Sequence, residues 1–322
     1  MGTHPPDERM RIALAGDDGY ARHLGALLCS LFENQSGRYR IDVSVLSKDI
    51  SPRNCGRLLT ICRRFGSQLT VFPIDRDVFR QAPVPAHYSD VNYYRLLLPR
   101  LIDPRLDRIL YLDGDIVVLG ALDAAWETDV SDCALAAVKD GKRIREDGAQ
   151  PTAQFNSGVL LFNLAYWRRH AIVDDVLAFI RDPANQAAIR YVDQDALNAV
   201  VGTCWRALPL AFNVQPFAFA AKRRTAFSDE ERAAAARDPV VLHFCGPRKP
   251  WNYQCEHPQR GVYWRYARLT PWQRQGYSDF SLTAWAEKQR RRLAALVAGT
   301  APPAMSRLLR VMYHQVVGRR AS

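Results

Sequence analysis

Long apolar runs are missing from this sequence, although 48% of its 322 residues are hydrophobic. Charged residues interrupt each apolar stretch before it reaches the ~20 residues that a membrane-spanning helix needs, so no transmembrane helix is expected. The segment 1–10 is polar and lacks the apolar stretch of a secretory signal. These two absences predict a cytoplasmic protein.

Cysteine pairs with metal-binding spacing are also missing. The seven cysteines form no Cys-x-x-Cys pair, and an odd number cannot all pair within one chain. We therefore expect reduced, mostly buried thiols. No internal repeat or long low-complexity tract is present, and the length favours one large domain with a tail.

Acidic residues are outnumbered, since 44 Lys and Arg against 33 Asp and Glu give a formal net charge of +11. Such a surplus implies an anionic partner, which leaves nucleic acid, anionic lipid and phosphorylated substrates open. Much of the surplus lies near the carboxyl end. No nucleic-acid motif or stacking platform accompanies it, so no nucleic-acid partner is expected.

Short apolar segments of strand type alternate with segments of helical periodicity. This alternation predicts an α/β fold with a mostly parallel central sheet, in which ligands bind beyond the carboxyl ends of the strands. The predicted strands cover 11–15, 42–46, 69–74, 108–119, 134–138, 158–162 and 240–244, and the predicted helices cover 20–33, 51–65, 92–101, 172–181 and 194–201.

Two carboxylates interrupt the apolar segment 108–119. Asp113 and Asp115 flank Gly114, and residues i and i+2 of a continuous strand point to the same side. Two ionised carboxylates near an apolar interior repel each other, and a divalent cation such as Mg²⁺ or Mn²⁺ relieves that repulsion. The glycine is expected to leave room for a ligand. Taken alone, Asp-x-Asp is also common in turns, where it only hydrogen-bonds the chain locally.

Four further segments carry polar residues that a plain core does not need. Arg95 could bind a phosphate or position a carboxylate, or it could form an ordinary surface ion pair. Asp193 would by itself be interpreted as a helix cap. The four segments are Asn92-Tyr-Tyr-Arg-Leu96, Phe155-Asn-Ser-Gly-Val-Leu-Leu-Phe-Asn163, Val192-Asp-Gln-Asp-Ala-Leu-Asn198 and His243-Phe-Cys-Gly-Pro-Arg-Lys-Pro-Trp251.

Together with Ala-Gly-Asp-Asp-Gly-Tyr at 15–20, these segments resemble the retaining glycosyltransferases of family 8. The likeness is greatest to bacterial galactosyltransferases and glucosyltransferases that extend lipopolysaccharide or lipooligosaccharide chains. It implies a GT-A fold, with a single Rossmann-like nucleotide-binding domain. We expect a flexible amino terminus over 1–10, a catalytic domain over 11–270 and a basic membrane-association region over 271–322.

The resemblance also implies the site. Asp113, Asp115 and His243 match the metal ligands, normally for Mn²⁺, with Mg²⁺ as an alternative. The donor is expected to be UDP-galactose or UDP-glucose. Gly19 departs from the family, in which asparagine is frequent, and this puts one nucleotide contact in doubt. The implied donor-binding residues are Asp17, Asp18, Tyr20, Arg95, Asn156, Ser157, Asp193, Gly246 and Lys249.

Gln194 and Asp193 are the expected catalytic residues. An amide is a poor nucleophile, so we favour front-face attack with retention, in which the Gln194 carbonyl stabilises positive charge on the sugar. Asp193 would hold a sugar hydroxyl, or would be the nucleophile of a double displacement. The segment Gly141–Thr152 is expected to form a mobile part of the cleft.

The carboxyl-terminal segment combines basic and apolar residues. The second of its two parts, 305–316, repeats apolar residues on one helical face, with basic residues elsewhere. This pattern predicts peripheral association with the anionic inner face of the cell membrane, where a lipid-linked oligosaccharide acceptor would be found. The alternative is a helix that packs on the catalytic domain.

Two other functions compete with the glycosyltransferase. The sequence Asp113-Gly-Asp-Ile-Val117 also fits a Mg²⁺-dependent phosphatase of the haloacid dehalogenase type, with Asp113 as nucleophile. That class usually carries its nucleophile near the start of the domain, and it gives His243 no role. A non-catalytic protein that binds carbohydrate or nucleotide is the second alternative, but it would not need both metal and sugar residues.

Overall fold

The structure, a computed structural model, describes residues 9–85, 88–145, 152–220 and 225–297. The predicted helix over 305–316 lies outside these ranges, as do residues 1–8 and 146–151. Among the described residues, no helix has the length and apolar character needed to cross a membrane. The last helix of the described chain begins at Leu282 and ends at Val297.

Nine strands and eleven α-helices make up the described fold. The strands are β1 (Arg9–Ala15), β2 (Arg40–Ser47), β3 (Gln68–Pro73), β4 (Arg108–Leu112), β5 (Ile116–Val118), β6 (Leu135–Arg145), β7 (Thr152–Asn163), β8 (Trp205–Ala207) and β9 (Val241–His243). The helices are α1 (Ala21–Glu33), α2 (Pro52–Arg64), α3 (Leu98–Leu101), α4 (Asp123–Trp126), α5 (Leu164–Arg169), α6 (Ile172–Arg181), α7 (Pro183–Gln186), α8 (Val192–Val201), α9 (Asp229–Arg237), α10 (Arg260–Ala267) and α11 (Leu282–Val297).

Seven of the strands form one sheet in the order β3-β2-β1-β4-β7-β6-β8. The neighbours β3 and β2, β2 and β1, β1 and β4, and β6 and β8 are parallel, whereas β7 runs antiparallel to both β4 and β6. The predicted mostly parallel sheet is therefore confirmed. Strands β5 and β9 pair antiparallel in a separate small sheet.

Apolar side chains on both faces of the large sheet form the two parts of the core. In β1, Ile12 and Leu14 pack into one cluster with Leu24 of α1, whereas Ala13 faces the other cluster with Tyr94. Successive strand residues point to opposite faces, so a strand covered on both sides must be apolar throughout. This explains why the central strands have near-continuous apolar sequences.

The prediction of one continuous strand over 108–119 is wrong. The chain leaves the large sheet after Leu112, turns through Gly114, and enters the small sheet at Ile116. Asp113 and Asp115 therefore lie in a turn instead of at i and i+2 of a strand. Apolar content alone does not record this change of sheet, because both flanking segments are equally buried.

Two other segments differ from the prediction. Gly141 to Arg145 belongs to β6, and Thr152 begins β7, so the expected loop over 141–152 is a strand at both of its ends. The absence of a side chain at Gly141 explains part of this, because a Cβ there would lie 2.2 Å from the Phe217 ring. The helix expected over 92–101 is a 3₁₀-helix from Asp90 to Leu97, followed by α3.

Candidate functional site

Three side chains from two distant parts of the sequence converge where β4 and β9 end. Asp113 and Asp115 occupy the turn after β4, and His243 is the last residue of β9. The Nε2 atom of His243 lies 3.2 Å from Oδ1 of Asp115 and 3.7 Å from Oδ2 of Asp113. One ligand atom from each residue falls within 4.8 Å of the others. The predicted metal residues are therefore brought together.

Backbone pairing and one glycine fix this convergence. His243 pairs with Ile116 across the small sheet, and the amide of Phe244 donates to the carbonyl of Asp115 at 3.0 Å. A Cβ at Gly158 would lie 2.2 Å from Cε1 of His243. The imidazole thus occupies space that any larger residue at position 158 would take.

The separations fit a divalent cation. Bonds of roughly 2.1 Å place neighbouring ligand atoms on one ion about 3 to 4 Å apart. Each aspartate uses one oxygen for a cationic partner, since Asp113 Oδ1 accepts from Arg95 at 2.7 Å and Asp115 Oδ2 accepts from Lys249. The remaining two oxygens face Nε2 of His243. A hard carboxylate pair with one imidazole suits Mn²⁺.

The cations beside the aspartates determine their charge. Although burial raises it, the Lys249 ammonium holds the pKa of Asp115 well below its ordinary value. Burial lowers the pKa of Lys249, but Asp115 outweighs burial and raises it. Asp115 and Lys249 are therefore both ionised at neutral pH.

Arg95 connects the candidate metal residues with the candidate sugar residues. Its side chain is 1% exposed, which excludes the surface ion pair considered from sequence. Nη2 donates to Asp113, Nη1 donates to the carbonyl of Ser157 at 2.6 Å, and Nε lies 3.2 Å from Oδ2 of Asp193. The guanidinium also lies over the Tyr111 ring, 4.3 Å from its centroid.

Asp193 is buried at the first turn of α8. Burial raises its pKa to about 7, against the opposing attraction of Arg95. Its Oδ2 accepts no hydrogen bond from a residue that the structure describes. The preceding residue, Val192, has a φ of 47°, a conformation that is strained for a β-branched side chain and persists where neighbouring contacts fix it.

Gln194 lies in a buried network of amides. Its Nε2 donates to Oδ2 of Asp140 at 2.8 Å, and its Oε1 accepts from Nδ2 of Asn156 at 3.0 Å and from the amide of Ser157 at 3.3 Å. These three hydrogen-bonding partners leave the amide of Gln194 only one orientation. The structure thus places Asn156 and Ser157 beside Gln194.

The residues that follow β1 lie next to the turn that carries Asp113 and Asp115. Tyr20 packs against Gly114, where a Cβ would lie 2.8 Å from its ring, and against the Trp251 ring at a centroid distance of 5.5 Å. The expectation that Gly114 leaves room for a ligand is wrong, since Tyr20 of the same chain fills that space. Asp17 Oδ1 accepts from the Tyr20 amide at 2.8 Å.

The hydrogen-bonding partners of the Asp18 side chain belong to the beginning of α2. Its Oδ1 accepts from the amide of Ser51 and from Nδ2 of Asn54, both at 2.8 Å. Ser51 caps α2, so Asp18 ties the end of β1 to the beginning of that helix. These contacts lower the pKa of Asp18, with the Ser51 hydrogen bond as the main cause.

The loop that carries Gly246 and Lys249 is held from two sides. Gly246 has a φ of +98°, which favours glycine, and the amide of Lys249 donates to Oδ1 of Asn252 at 2.8 Å. On the carboxyl-terminal side, Nζ of the buried Lys288 of α11 donates to the carbonyl of Tyr253. The helix α11 therefore packs on the loop that follows Lys249.

Three residues of this site were not expected from sequence. Tyr111 donates to Oδ1 of Asp113 at 3.1 Å, Asp140 accepts from Gln194, and the fully buried Asn213 joins His243 to Asn156. Tyr111 stood in the strand motif itself, two residues before Asp113. The only sequence feature that marks Asp140 and Asn213 is that each is a polar residue next to an apolar segment.

A family model described as Glycosyl transferase family 8 matches residues 11–255. The chain belongs to glycosyltransferase family 8. The family predicted from the motifs is thereby confirmed, and the protein is a transferase. The phosphatase alternative is not favoured, because the family match includes the whole Asp113 segment and His243 lies at the aspartates.

Two relatives match this chain over two thirds or more of its length. General stress protein A of Bacillus subtilis is 32% identical over 273 residues, which cover 83% of this chain and 96% of that protein. A lipopolysaccharide 1,3-galactosyltransferase of Salmonella typhimurium is 24% identical over 226 residues, which cover 67% of this chain and 65% of that relative.

Among solved structures, the galactosyltransferase LgtC in complex with donor and acceptor sugar analogues is 29% identical to this chain. The two superpose with a TM-score of 0.73, over 87% of this chain and 100% of LgtC. The family 8 fold of this chain is therefore the GT-A fold, as the resemblance implied.

Proposed function

We propose that this family 8 enzyme transfers galactose or glucose from a UDP-sugar to a saccharide acceptor with retention of configuration. The observation that carries the proposal is the convergence of Asp113, Asp115 and His243 within reach of one ion, next to the buried pair Arg95 and Asp193. A cation at this position would bind the diphosphate of a nucleotide sugar, and the neighbouring polar groups would bind the sugar hydroxyls. The LgtC structure with donor and acceptor analogues supports the same class of substrates.

Stabilisation of the leaving group is the central chemical requirement. Cleavage of the bond to the anomeric carbon leaves negative charge on the diphosphate of UDP. Mn²⁺ held by Asp113, Asp115 and His243, or Mg²⁺ in its place, would act as a Lewis acid toward that charge. Lys249 supplies a second positive charge from the neighbouring loop. Gly246 of the same loop has no side chain, so the diphosphate can come close to the backbone there.

The two candidate catalytic residues have different roles in this proposal. Gln194 is fixed by Asp140, Asn156 and Ser157, so its amide dipole needs no reorganisation when the sugar becomes positive. Asp193 is paired with Arg95 through Oδ2, which weakens it as a nucleophile, and that oxygen accepts no hydrogen bond from a described residue, so it suits a sugar hydroxyl. We therefore favour front-face attack over double displacement.

A panel of UDP-sugars tests the donor and the metal. We expect UDP release from UDP-galactose or UDP-glucose that depends on Mn²⁺, with no hydrolysis of a phosphomonoester. NMR of the product should show that the transferred sugar has the same anomeric configuration as in the donor. Inertness toward all UDP-sugars, with or without a saccharide acceptor, would reject the proposal and favour a binding protein.

Two substitutions separate the roles of the catalytic pair. Gln194→Ala should lower kcat strongly, whereas Asp193→Asn should retain measurable turnover with a raised donor KM. A fully active Asp193→Asn enzyme would exclude the nucleophile role, and an unaffected Gln194→Ala enzyme would exclude the front-face role given to Gln194.

We also propose that the carboxyl-terminal region binds an anionic membrane surface that carries a lipid-linked oligosaccharide acceptor, as in lipopolysaccharide core synthesis. Three apolar side chains in α11 or just before it are exposed, namely Phe280 (55%), Leu282 (80%) and Trp285 (48%), and Arg290 of the same helix is exposed. Deletion of residues 285–322 should abolish cosedimentation with vesicles that contain phosphatidylglycerol. Unchanged sedimentation would reject this part of the proposal.

A further inference from the structure

A buried amide outside the residues discussed for substrate lies behind His243. Asn213 follows the 3₁₀-turn Leu210–Phe212 and has no exposed surface. Its Oδ1 lies 2.9 Å from Nδ1 of His243, and its Nδ2 donates to Oδ1 of Asn156 at 2.8 Å. One side chain therefore connects the candidate metal ligand with the candidate sugar residue.

The orientation of the neighbouring amides follows from groups that have only one hydrogen-bonding role. The backbone amide of Ser157 donates to Oε1 of Gln194, and the amide of Gly158 donates to Oδ1 of Asn156 at 3.0 Å. Backbone N–H groups never accept, and the carboxylate of Asp140 accepts from the other end of Gln194. Rotating the side-chain amide of Gln194 or of Asn156 by 180° would place two donors or two acceptors against each other.

Asn213 takes its own orientation from this chain. Because Oδ1 of Asn156 is an acceptor, the group of Asn213 that faces it must be the NH₂. The oxygen of Asn213 then faces His243, and an oxygen can only accept. Neutral His243 therefore carries its proton on Nδ1, and Nε2 keeps the lone pair that points toward the two aspartates.

We propose that Asn213 is a positioning residue that fixes the tautomer of His243 required for metal binding. With the proton on Nε2 instead, His243 would donate to Asp115 and could not bind a cation. A hydrogen-bond acceptor behind a metal-binding imidazole both orients the ring and raises its basicity. The inference rests on the proposed function for the identity of the ion, but not for the tautomer.

The tautomer is tested without metal or donor. Long-range ¹H–¹⁵N correlation spectra of protein labelled with ¹⁵N-histidine distinguish Nδ1–H from Nε2–H, and a His243→Gln sample identifies the signals of this residue. We expect a proton on Nδ1 of His243, the atom that faces the oxygen of Asn213. An unprotonated Nδ1, with the only proton on Nε2, would overturn the proposal, whatever the enzyme's activity.

Two substitutions test the consequence for the metal. Asn213→Leu removes the acceptor and should weaken binding of Mn²⁺ alone by ~10–100-fold. Asn213→Asp keeps an acceptor for Nδ1–H and should bind Mn²⁺ at least as tightly as the unmodified protein. It no longer donates to Asn156, so its donor KM should rise.

Equal Mn²⁺ affinity of Asn213→Leu and the unmodified protein would contradict the inference. Should Asn213→Leu fail to fold, the tautomer spectrum of the unmodified protein decides. A protein that has the Nδ1–H tautomer but no affinity for Mn²⁺ would reject the proposed metal while it supports the positioning role of Asn213.

Discussion

Arg95 donates to Oδ1 of Asp113 at 2.7 Å from a position that is 1% exposed. Burial lowers the pKa of its guanidinium, but Asp113 and Asp193 outweigh burial and raise it. The arginine is therefore the permanent countercharge of two carboxylates, one at the candidate metal site and one at the proposed sugar site. It leaves Oδ2 of Asp113 directed at His243.

Replacement of Arg95 by methionine should be severely destabilising. Asp113 and Asp193 would lose the cation they share, and removal of one partner of a buried ion pair costs about 3–5 kcal/mol. Urea-induced unfolding measures this loss. Arg64→Met is the control, because Arg64 pairs with Glu33 at the surface and should contribute less than about 1 kcal/mol. Equal losses in the two variants would contradict the countercharge role.

The pH dependence of stability should report on Asp193. Burial raises the pKa of Asp193 to about 7 from its ordinary value of 3.8, so the folded protein binds more protons than the unfolded chain between those pH values. Its contribution is fully present below pH 3.8 and is lost as the pH rises through 7. The Asp193→Asn variant has no carboxyl group to titrate at this position. The unfolding free energy of the unmodified protein should therefore fall relative to that of the variant between pH 4 and 7. A constant difference would show that the pKa of Asp193 is not raised.

Addition of one methyl group at Gly158 should disturb the metal site. The new Cβ would meet the His243 ring at 2.2 Å, and relief of such overpacking typically costs about 1–3 kcal/mol. We expect Gly158→Ala to lose most of its Mn²⁺ affinity in calorimetric titration. Gly56→Ala is the matched control: Gly56 lies in α2 with open space around it, and alanine there should stabilise the helix without any effect on Mn²⁺. Unchanged affinity in Gly158→Ala would be evidence against His243 as a ligand.

Removal of the Lys249 charge should separate nucleotide binding from metal binding. Lys249→Met loses the cation proposed to face the diphosphate, and loss of one such group typically lowers turnover by roughly 10²–10³-fold. Binding of Mn²⁺ alone should not weaken, because Asp115 then has no competing cation. Arg248→Met removes the same charge from the exposed neighbour in the same loop and should have a much smaller effect. Similar losses in both variants would indicate a general charge effect.

The sequence was sufficient to predict the fold class and to pick out the three residues that converge at the candidate metal site, for identifiable reasons. The central strands are covered on both faces, so they are apolar throughout and contrast with the helices between them. Asp113, Asp115 and His243 belong to the motifs by which the sequence resembles the family. The turn at Gly114 was missed, because an apolar segment that passes from one sheet to another has the same composition as one long strand.

Residues that act through tertiary contacts could not be found in this way. Asn213 and Asp140 are single polar residues near buried strands, and only the folded chain brings them to His243 and Gln194. The 3₁₀-helix before α3 has a local cause that could have been used. Pro99 has no N–H to donate to the carbonyl of Arg95, which accepts from Leu98 instead.

The central claim is that Asp113, Asp115 and His243 hold one cation next to the diphosphate of the donor. Anomalous diffraction at the manganese edge from a crystal soaked with Mn²⁺ and UDP measures this directly. The account predicts one strong peak within bonding distance of Nε2 of His243 and of an oxygen from each aspartate, in contact with the diphosphate. A peak that contacts the diphosphate but not these three residues, or UDP bound elsewhere with this site empty, would contradict it.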